Sequence, residues 1–172
     1  MQLSPQSIRM LAEGPNPIIS PFCDTYKCSK SGLSGGLTSA GYDVHMTDEL
    51  LGLDAFDRQP VRVEGRREWV LPARTGCLAV TLEKFCIPQN MAMQYYNKST
   101  LARKFLNAAA TLGEPSWSGH LTLELYNQTD RPFVLYPGQP IGQVIFITLD
   151  SASVQPYDGK YQNQEQKPVE AR

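Results

Sequence analysis

The residues of this chain best suited to chemistry lie between Asn97 and Asn127. The segment opens with Lys98-Ser99-Thr100 and Arg103, a compact group of cations and hydroxyls. Such groups favour phosphate oxygens, because charge-assisted hydrogen bonds to anions are short and strong. The segment ends in an alternating run that carries Glu124, and a carboxylate on an apolar strand is costly unless it is paired or used. Taken alone, these residues are also compatible with a solvated loop and a strand whose acid faces water.

Length and charge limit the classes of function. The 172 residues fit a single domain with a real core. A formal net charge of −1 gives no broad attraction for nucleic acid or an anionic membrane, so we expect neither as a partner. The first 12 residues contain no apolar run of signal-peptide length, and no stretch approaches the roughly 20 apolar residues of a membrane helix. We therefore expect a soluble, cytoplasmic protein.

The potential metal ligands are few. The cysteines and histidines are Cys23, Cys28, Cys77, Cys86, His45 and His120. The cysteines lack Cys-x-x-Cys spacing, which indicates reduced thiols rather than a disulfide framework. Cys23 and Cys28 could form one corner of a metal site, but no second Cys/His pair follows them, so we expect no zinc.

Short apolar or alternating runs between turn residues predict a β protein. The predicted strands cover residues 42–46, 60–63, 68–71, 77–82, 91–96, 120–127, 133–136 and 142–149. Ser4 and Pro5 predict a short helix within residues 1–14, with serine as its N-cap. We expect one domain over residues 1–172, a distorted β-barrel or jelly-roll with this N-terminal helix.

Three segments are less regular. Residues 23–38 are rich in Ser, Gly and Lys and predict a flexible loop. Leu101 to Ala110 is the one internal segment with helical content, and a short turn is the alternative. Residues 151–172 predict a mobile polar tail that orders only against a ligand or a neighbouring subunit.

Several motifs resemble the dUTPase superfamily, in the same order along the chain. Ser39-Ala40-Gly41-Tyr42-Asp43-Val44 resembles its first motif, and Lys98 to Arg103 its second. Trp117-Ser118-Gly119 with Leu121 to Asn127 resembles the segment that distinguishes the dCTP deaminase branch. The strand pair with Pro137-Gly138, Ile141-Gly142-Gln143 and Phe146 follows, and then the tail with Tyr157 and Lys160 to Gln164. Because these motifs cover nearly the whole chain, it is identified as a member of the dCTP deaminase family.

The resemblance implies a dUTPase-like β-barrel homotrimer with active sites at subunit interfaces. It also implies hydrolytic deamination of a cytosine nucleotide whose triphosphate carries Mg²⁺, with no metal bound directly by the protein. The chain lacks the motifs of zinc deaminases, H-x-E or C-x-E with a later P-C-x-x-C, so water must be activated in another way. The resemblance gives Glu124 the role of general base and acid. It gives Ser99 and Arg103 the task of holding the water and the carboxylate, with Arg103 keeping Glu124 ionised.

The same resemblance implies a set of nucleotide-binding residues. They are Lys98, Ser99, Thr100, Arg103, Ala110, Glu114, Thr122, Glu124, Tyr157, Lys160 and Gln164. Backbone groups near Ala110 would meet the water and the base, Glu114 the deoxyribose, and the tail residues would close over the triphosphate. Asp43 is expected to support the structure of the site, and Tyr42 to belong to the core.

The chain also departs from the family pattern. Asn97-Lys98 replaces the usual Gly-Arg, and lysine lacks the bidentate fork of arginine. The hairpin before Trp117 is about two residues shorter than expected, Leu112 stands where a basic residue is common, and Gly113-Glu114 replaces Ile-Asp. These changes surround the base and sugar, and they leave dCMP or a modified cytosine nucleotide open as the substrate.

The leading hypothesis is deamination of dCTP to dUTP and ammonia, with dTTP as a candidate inhibitor. One alternative is a bifunctional enzyme that continues to dUMP and pyrophosphate, for which Glu114 is the only hairpin carboxylate. A plain dUTPase is less favoured, because Glu124 is present and a Gly-rich C-terminal arm is absent. A non-catalytic nucleotide-binding or regulatory protein is the alternative from a different class.

Overall fold

The chain folds into two antiparallel sheets, and the computed structural model describes residues 1–171. Its strands are β1 (Ile19–Ser20), β2 (Tyr26–Lys27), β3 (Ser34–Leu37), β4 (Tyr42–Gly52), β5 (Val61–Arg62), β6 (Trp69–Leu71), β7 (Gly76–Cys86), β8 (Met91–Asn97), β9 (Leu106–Ala109), β10 (Ser118–Asn127), β11 (Phe133–Leu135) and β12 (Pro140–Thr148). The helices are α1 (Pro5–Ala12) and α2 (Ser99–Ala102). The expected mainly β architecture is confirmed.

The larger sheet is curled and is organised around β4 and β7. Its strand order is β2-β3-β4-β7-β10-β9. Strand β1 also pairs with β7, and β12 pairs with both β4 and β8. The smaller sheet has the order β11-β6-β5. The first six residues of β7 are all buried, as expected of a strand covered on both faces, whereas β10 alternates between buried and more exposed positions.

The core joins large side chains from most of the sheet with one residue of α1. Phe85 of β7, Tyr42 of β4 and Phe146 of β12 are almost completely buried, and Ile8 of α1 packs into the same cluster. Ser4 caps α1 by accepting a hydrogen bond from the backbone N–H of Ser7, and Pro5 stands in its first turn. The predicted short N-terminal helix is therefore present. Neither described helix is long and apolar enough to cross a membrane.

Three local expectations need correction. The segment 101–110 is only partly helical: α2 ends at Ala102, and β9 follows because it pairs with β10 through backbone hydrogen bonds. Residues 23–38 contain the hairpin β2–β3, with two glycines buried where β3 meets β4. Strands β4 and β7 extend beyond their predicted ends, because the second half of β4 pairs with the first half of β7 and the second half of β7 pairs with β1 and β10.

Candidate functional site

A cavity of about 730 Å³ lies between β10, the hairpin before it and the C-terminal segment. Thr122 and Glu124 are two residues apart on β10, so they share the face that points away from Leu123 and Leu125 in the core. The lining residues are Leu53, Asp54, Ala55, Leu78, Thr111, Leu112, Glu114, Trp117, Leu121, Thr122, Glu124, Tyr157, Tyr161, Gln164, Val169, Glu170 and Ala171. The cavity thus combines an apolar wall with a few polar groups, as small-molecule sites commonly do.

Glu124 is one of the acids that line this cavity and the candidate for proton transfer. Its backbone is fixed on both sides, by Leu78 of β7 and Ala109 of β9. Its carboxylate has no ion pair and no hydrogen bond to another residue in the described part of the chain. Burial raises the pKa of this carboxyl, and its own backbone N–H offsets the rise only partly. A carboxyl placed in this way is suited to accept a proton and return it, as a general base and acid does.

The C-terminal segment forms one wall of the cavity through specific hydrogen bonds. The Gln164 side-chain amide donates to the Thr122 hydroxyl at 2.6 Å, and the Gln164 carbonyl accepts from the backbone N–H of His120 at 3.1 Å. Gly119 has a φ of +150°, and a Cβ at that position would lie only 2.8 Å from the Gln164 backbone nitrogen. A glycine is therefore required where the tail passes over β10.

Two further side chains hold the tail in place. The Trp117 indole N–H donates to the carbonyl of Tyr161 at 2.9 Å. The Gln162 amide accepts from the backbone N–H of Ser118 at 2.8 Å and donates to the carbonyls of Ser116 and Tyr157. In this structure the tail is thus held against β10 and the hairpin of its own chain by specific hydrogen bonds. Whether residues 151–172 are mobile in solution stays a prediction.

The cavity lining is acidic. Asp54, Glu114, Glu124 and Glu170 line it, and no lysine or arginine does so among residues 1–171. Acidic walls repel phosphate at any distance shorter than the Debye length, about 8–10 Å in physiological salt. The cavity therefore has carboxyl groups for acid–base chemistry on a nucleobase, but it has no cation that would neutralise a triphosphate. No group of three or more His, Cys, Asp or Glu side chains that could hold a metal ion occurs in the described range.

The predicted phosphate-binding residues lie elsewhere, around α2. Ser99, Thr100 and Arg103 are exposed and form no side-chain hydrogen bond or ion pair with any residue the structure describes. Lys98 differs, because its ammonium donates to Asp43 at 2.5 Å and both side chains are about nine-tenths buried. Asp43 is also approached by the Gln143 amide at 3.5 Å. Any phosphate at Lys98 would therefore have to share this ammonium with Asp43.

The structure thus divides the predicted residues into two groups. The cavity brings together Glu114, Thr122, Glu124, Tyr157 and Gln164. Lys160 lines a neighbouring cavity of about 180 Å³ that shares Tyr161, Gln164 and Val169 with the first. Ala110 is half-buried beside Thr111, which does line the Glu124 cavity. Within a single chain, Lys98, Ser99, Thr100 and Arg103 do not line it.

Sequence reasoning missed several residues of the site. Trp117 and Gln162 fasten the tail, and Glu170 and Ala171 at the end of the described chain line the cavity. The available signals were a tryptophan between turn residues and two glutamines in a polar tail. Each of these side chains can donate a hydrogen bond to a distant backbone carbonyl. The contribution of Leu53 and Ala55 to the apolar wall had no such signal.

Comparison with known proteins identifies the family. The model of the dCTP deaminase-like family matches residues 30–149, which is more than half of the chain. The chain belongs to the dCTP deaminase-like family. A dCTP deaminase of Helicobacter pylori strain Shi470 is 33% identical over 162 residues, and one of Chloroflexus aurantiacus strain J-10-fl is 35% identical over 161. In both cases the match covers 86% of this chain and 86% of the relative.

A solved structure supports the fold assignment. The 2'-deoxycytidine 5'-triphosphate deaminase of Agrobacterium tumefaciens superposes with a TM-score of 0.66 at 18% sequence identity. The match covers 84% of this chain but 47% of that structure, so this chain spans about half of its length. At this level of identity the likeness concerns the fold of the dCTP deaminase-like domain.

Proposed function

We propose that the protein is a zinc-independent dCTP deaminase that hydrolyses dCTP to dUTP and ammonia. The observation that carries the proposal is Glu124, an unpaired carboxylate of raised pKa on the wall of a cavity large enough for a nucleoside. Membership of the dCTP deaminase-like family and relatives of that name over most of the chain support the choice of reaction.

The chemistry needs one group that accepts and then returns protons. Glu124 takes a proton from water as the oxygen attacks C4 of cytosine, and the proton passes to N3. A second proton from the same water reaches the 4-amino group by way of Glu124, the C4–N bond breaks and ammonia leaves. The resulting 4-keto group is that of dUTP, so one water is consumed for each ammonia released.

We infer that a second copy of the chain completes the site. The Glu124 cavity has acidic lining and no cation of its own among residues 1–171, while Ser99 and Arg103 are exposed and unpaired there. A homotrimer in which α2 of one protomer faces the Glu124 cavity of the next would supply the missing cation and hydroxyl. Arg103 would then favour the ionised form of Glu124, and Ser99 would hold the attacking water. The substrate is taken as the Mg²⁺ complex of dCTP, with the metal carried by the triphosphate.

The activity test uses the full chain and a Glu124→Gln variant, incubated separately with dCTP and dUTP in the presence of Mg²⁺. Nucleotides are separated by chromatography, and ammonia is assayed. We expect the wild type to produce dUTP and ammonia in equal amounts and the variant to produce neither at a comparable rate. Nucleotide binding without turnover in the wild type would reject the deaminase and leave a sensor.

A mixed-variant experiment tests the shared site. Differently tagged Glu124→Gln and Arg103→Ala chains are co-expressed, and particles carrying both tags are purified. If Glu124 and Arg103 come from different protomers, the purified mixed trimers regain about a third of the wild-type activity, because each of them has one intact site out of three. If both residues act within one chain, the mixture is as inactive as its parents.

Glu114 favours one second candidate function. It lines the same cavity as Glu124, so a second carboxylate is available for water activation. Hydrolysis of dUTP to dUMP and pyrophosphate would need such a base near the α-phosphate. Release of pyrophosphate from dUTP by the wild type, and its loss in Glu114→Gln with deamination retained, would establish a bifunctional enzyme.

A further inference from the structure

A second, cation-lined cavity lies on a different part of the molecule. It has a volume of about 300 Å³ and is formed by the turn between β2 and β3, by α2 and by β11 with the turn that follows it. Its lining residues are Lys30, Ser31, Leu33, Leu101, Lys104, Pro132, Phe133, Val134, Tyr136 and Gln139. None of them lines the Glu124 cavity, so the two cavities are separate.

The charged groups of this cavity are all positive. Lys30 and Lys104 are exposed, and neither forms an ion pair or a side-chain hydrogen bond in the part of the chain that the structure describes. No Asp or Glu is among the lining residues. Two lysines that line one cavity, with no acid in the lining, favour an anion, because each ammonium offers three donors and a full charge.

A buried donor without a partner marks the same cavity. The Gln139 side chain is 1% exposed, and its Oε1 accepts from the backbone N–H of Tyr136 at 3.3 Å. That contact fixes the orientation of the amide, because Nε2 could not accept from the same N–H. Among residues 1–171 Nε2 has no hydrogen-bond partner, and a buried donor left unpaired costs free energy.

The rest of the lining determines the size and class of the ligand. Leu33, Leu101, Phe133 and Val134 supply apolar surface beside the lysines, and the Tyr136 phenol supplies a further donor. The volume falls at the lower end of the roughly 300–1,000 Å³ typical of small-molecule pockets. We propose that this cavity binds the phosphate group of a small phosphate monoester. Lys30 and Lys104 neutralise the charge, the Gln139 amide donates to a phosphate oxygen, and the apolar wall contacts the organic part.

Calorimetric titration of the full-length protein with inorganic phosphate and with glycerol 3-phosphate tests the proposal at low ionic strength. We expect both to bind the wild type, and the monoester to bind more tightly because it also meets the apolar wall. A Lys30→Gln/Lys104→Gln variant should bind about tenfold more weakly or worse, since it loses two hydrogen bonds to a charged ligand. A Lys27→Gln/Lys84→Gln variant is the matched control, as it removes two exposed lysines that line neither cavity.

One more variant tests the buried donor, and the lysine control separates this cavity from a general effect of surface charge. Gln139→Met removes the orphaned Nε2 donor and also the oxygen that accepts from the Tyr136 N–H, so we expect weaker phosphate binding with little net change in thermal stability without phosphate. Phosphate binding should be unchanged in Lys27→Gln/Lys84→Gln. A loss of binding in that control as large as in Lys30→Gln/Lys104→Gln, or equal binding by the wild type and the Lys30→Gln/Lys104→Gln variant, would overturn the proposal. Because binding is measured without turnover, the result is independent of the proposed deaminase activity.

Discussion

Two glutamates on neighbouring strands of the sheet meet opposite environments. Glu83 on β7 is 1% exposed, and both of its carboxylate oxygens contact His45. One oxygen accepts from the His45 backbone N–H at 3.0 Å, and the other lies 2.5 Å from Nδ1 of the ring. Glu124 on β10 points into a cavity and has no partner among residues 1–171. Strands β7 and β10 pair with each other, so the contrast arises from the side-chain surroundings and not from a different backbone.

The contrast shows how this fold uses its two strand carboxylates. A carboxylate tied on both oxygens by one residue of β4 joins two central strands, and its hydrogen bonds offset the cost of burial. A carboxylate with a raised pKa and no partner gains nothing for the fold, which is the usual condition of a group kept for chemistry. We therefore assign Glu83 to stability and propose Glu124 for catalysis.

The largest effect that this contrast predicts is on turnover. Replacing Glu124 by Gln removes the base and should lower the rate of dCTP deamination by about 10²- to 10⁴-fold, the usual contribution of general acid–base catalysis. The free energy of unfolding should stay the same or rise slightly at neutral pH, because burial disfavours the ionised carboxylate that glutamine removes. Steady-state kinetics and thermal unfolding of the same preparation measure both. If the Glu124→Gln variant unfolds readily, Glu124 stabilises the fold, as Glu83 does.

Sequence alone could predict the fold class but could not distinguish these two glutamates. Alternating runs and turn residues predicted most strands, and the paired strands extend past those runs because backbone hydrogen bonds do not depend on side-chain pattern. Glu83 and Glu124 both sit on apolar strands, and the resemblance to known motifs gave a catalytic role to Glu124 alone. The partner of Glu83 lies 38 residues away on β4, a contact that no local spacing encodes.

The segment after Arg103 shows why a local expectation failed, and the tail shows contacts that its composition did not predict. Alanine favours helix, yet Ala108 is in a strand because its backbone N–H donates to the Asn97 side chain and its neighbours pair with β10. The tail is polar and was expected to need a ligand or a second subunit. Its order in the structure comes from side-chain amides such as Gln162 and Gln164, which find specific backbone and hydroxyl partners.

The second effect is on stability. The same chemical change at position 83, Glu83→Gln, should lower the free energy of unfolding by about 2 kcal/mol, since it weakens two buried hydrogen bonds to a charged acceptor. The activity of each folded molecule should stay close to that of the wild type, because Glu83 does not line the cavity. Urea denaturation and deaminase assays below the unfolding transition measure the two quantities. A fall in turnover comparable to that of Glu124→Gln, with stability retained, would reverse the assignment of the two carboxylates.

The smallest effect concerns pH and depends on the environment of Glu124 in the assembled site. A base must be ionised, so kcat/KM should fall as the pH is lowered through the pKa of Glu124. Burial raises this pKa, and an arginine from a second protomer would lower it. Replacing Arg103 by Gln should therefore move the acid limb of the pH profile upward, by about one pH unit for a nearby opposite charge. Arg66→Gln removes the same charge from the turn between β5 and β6 and should leave the limb in place. An unmoved limb in Arg103→Gln would mean that Arg103 does not reach Glu124, and the cation of the site would have to be sought elsewhere.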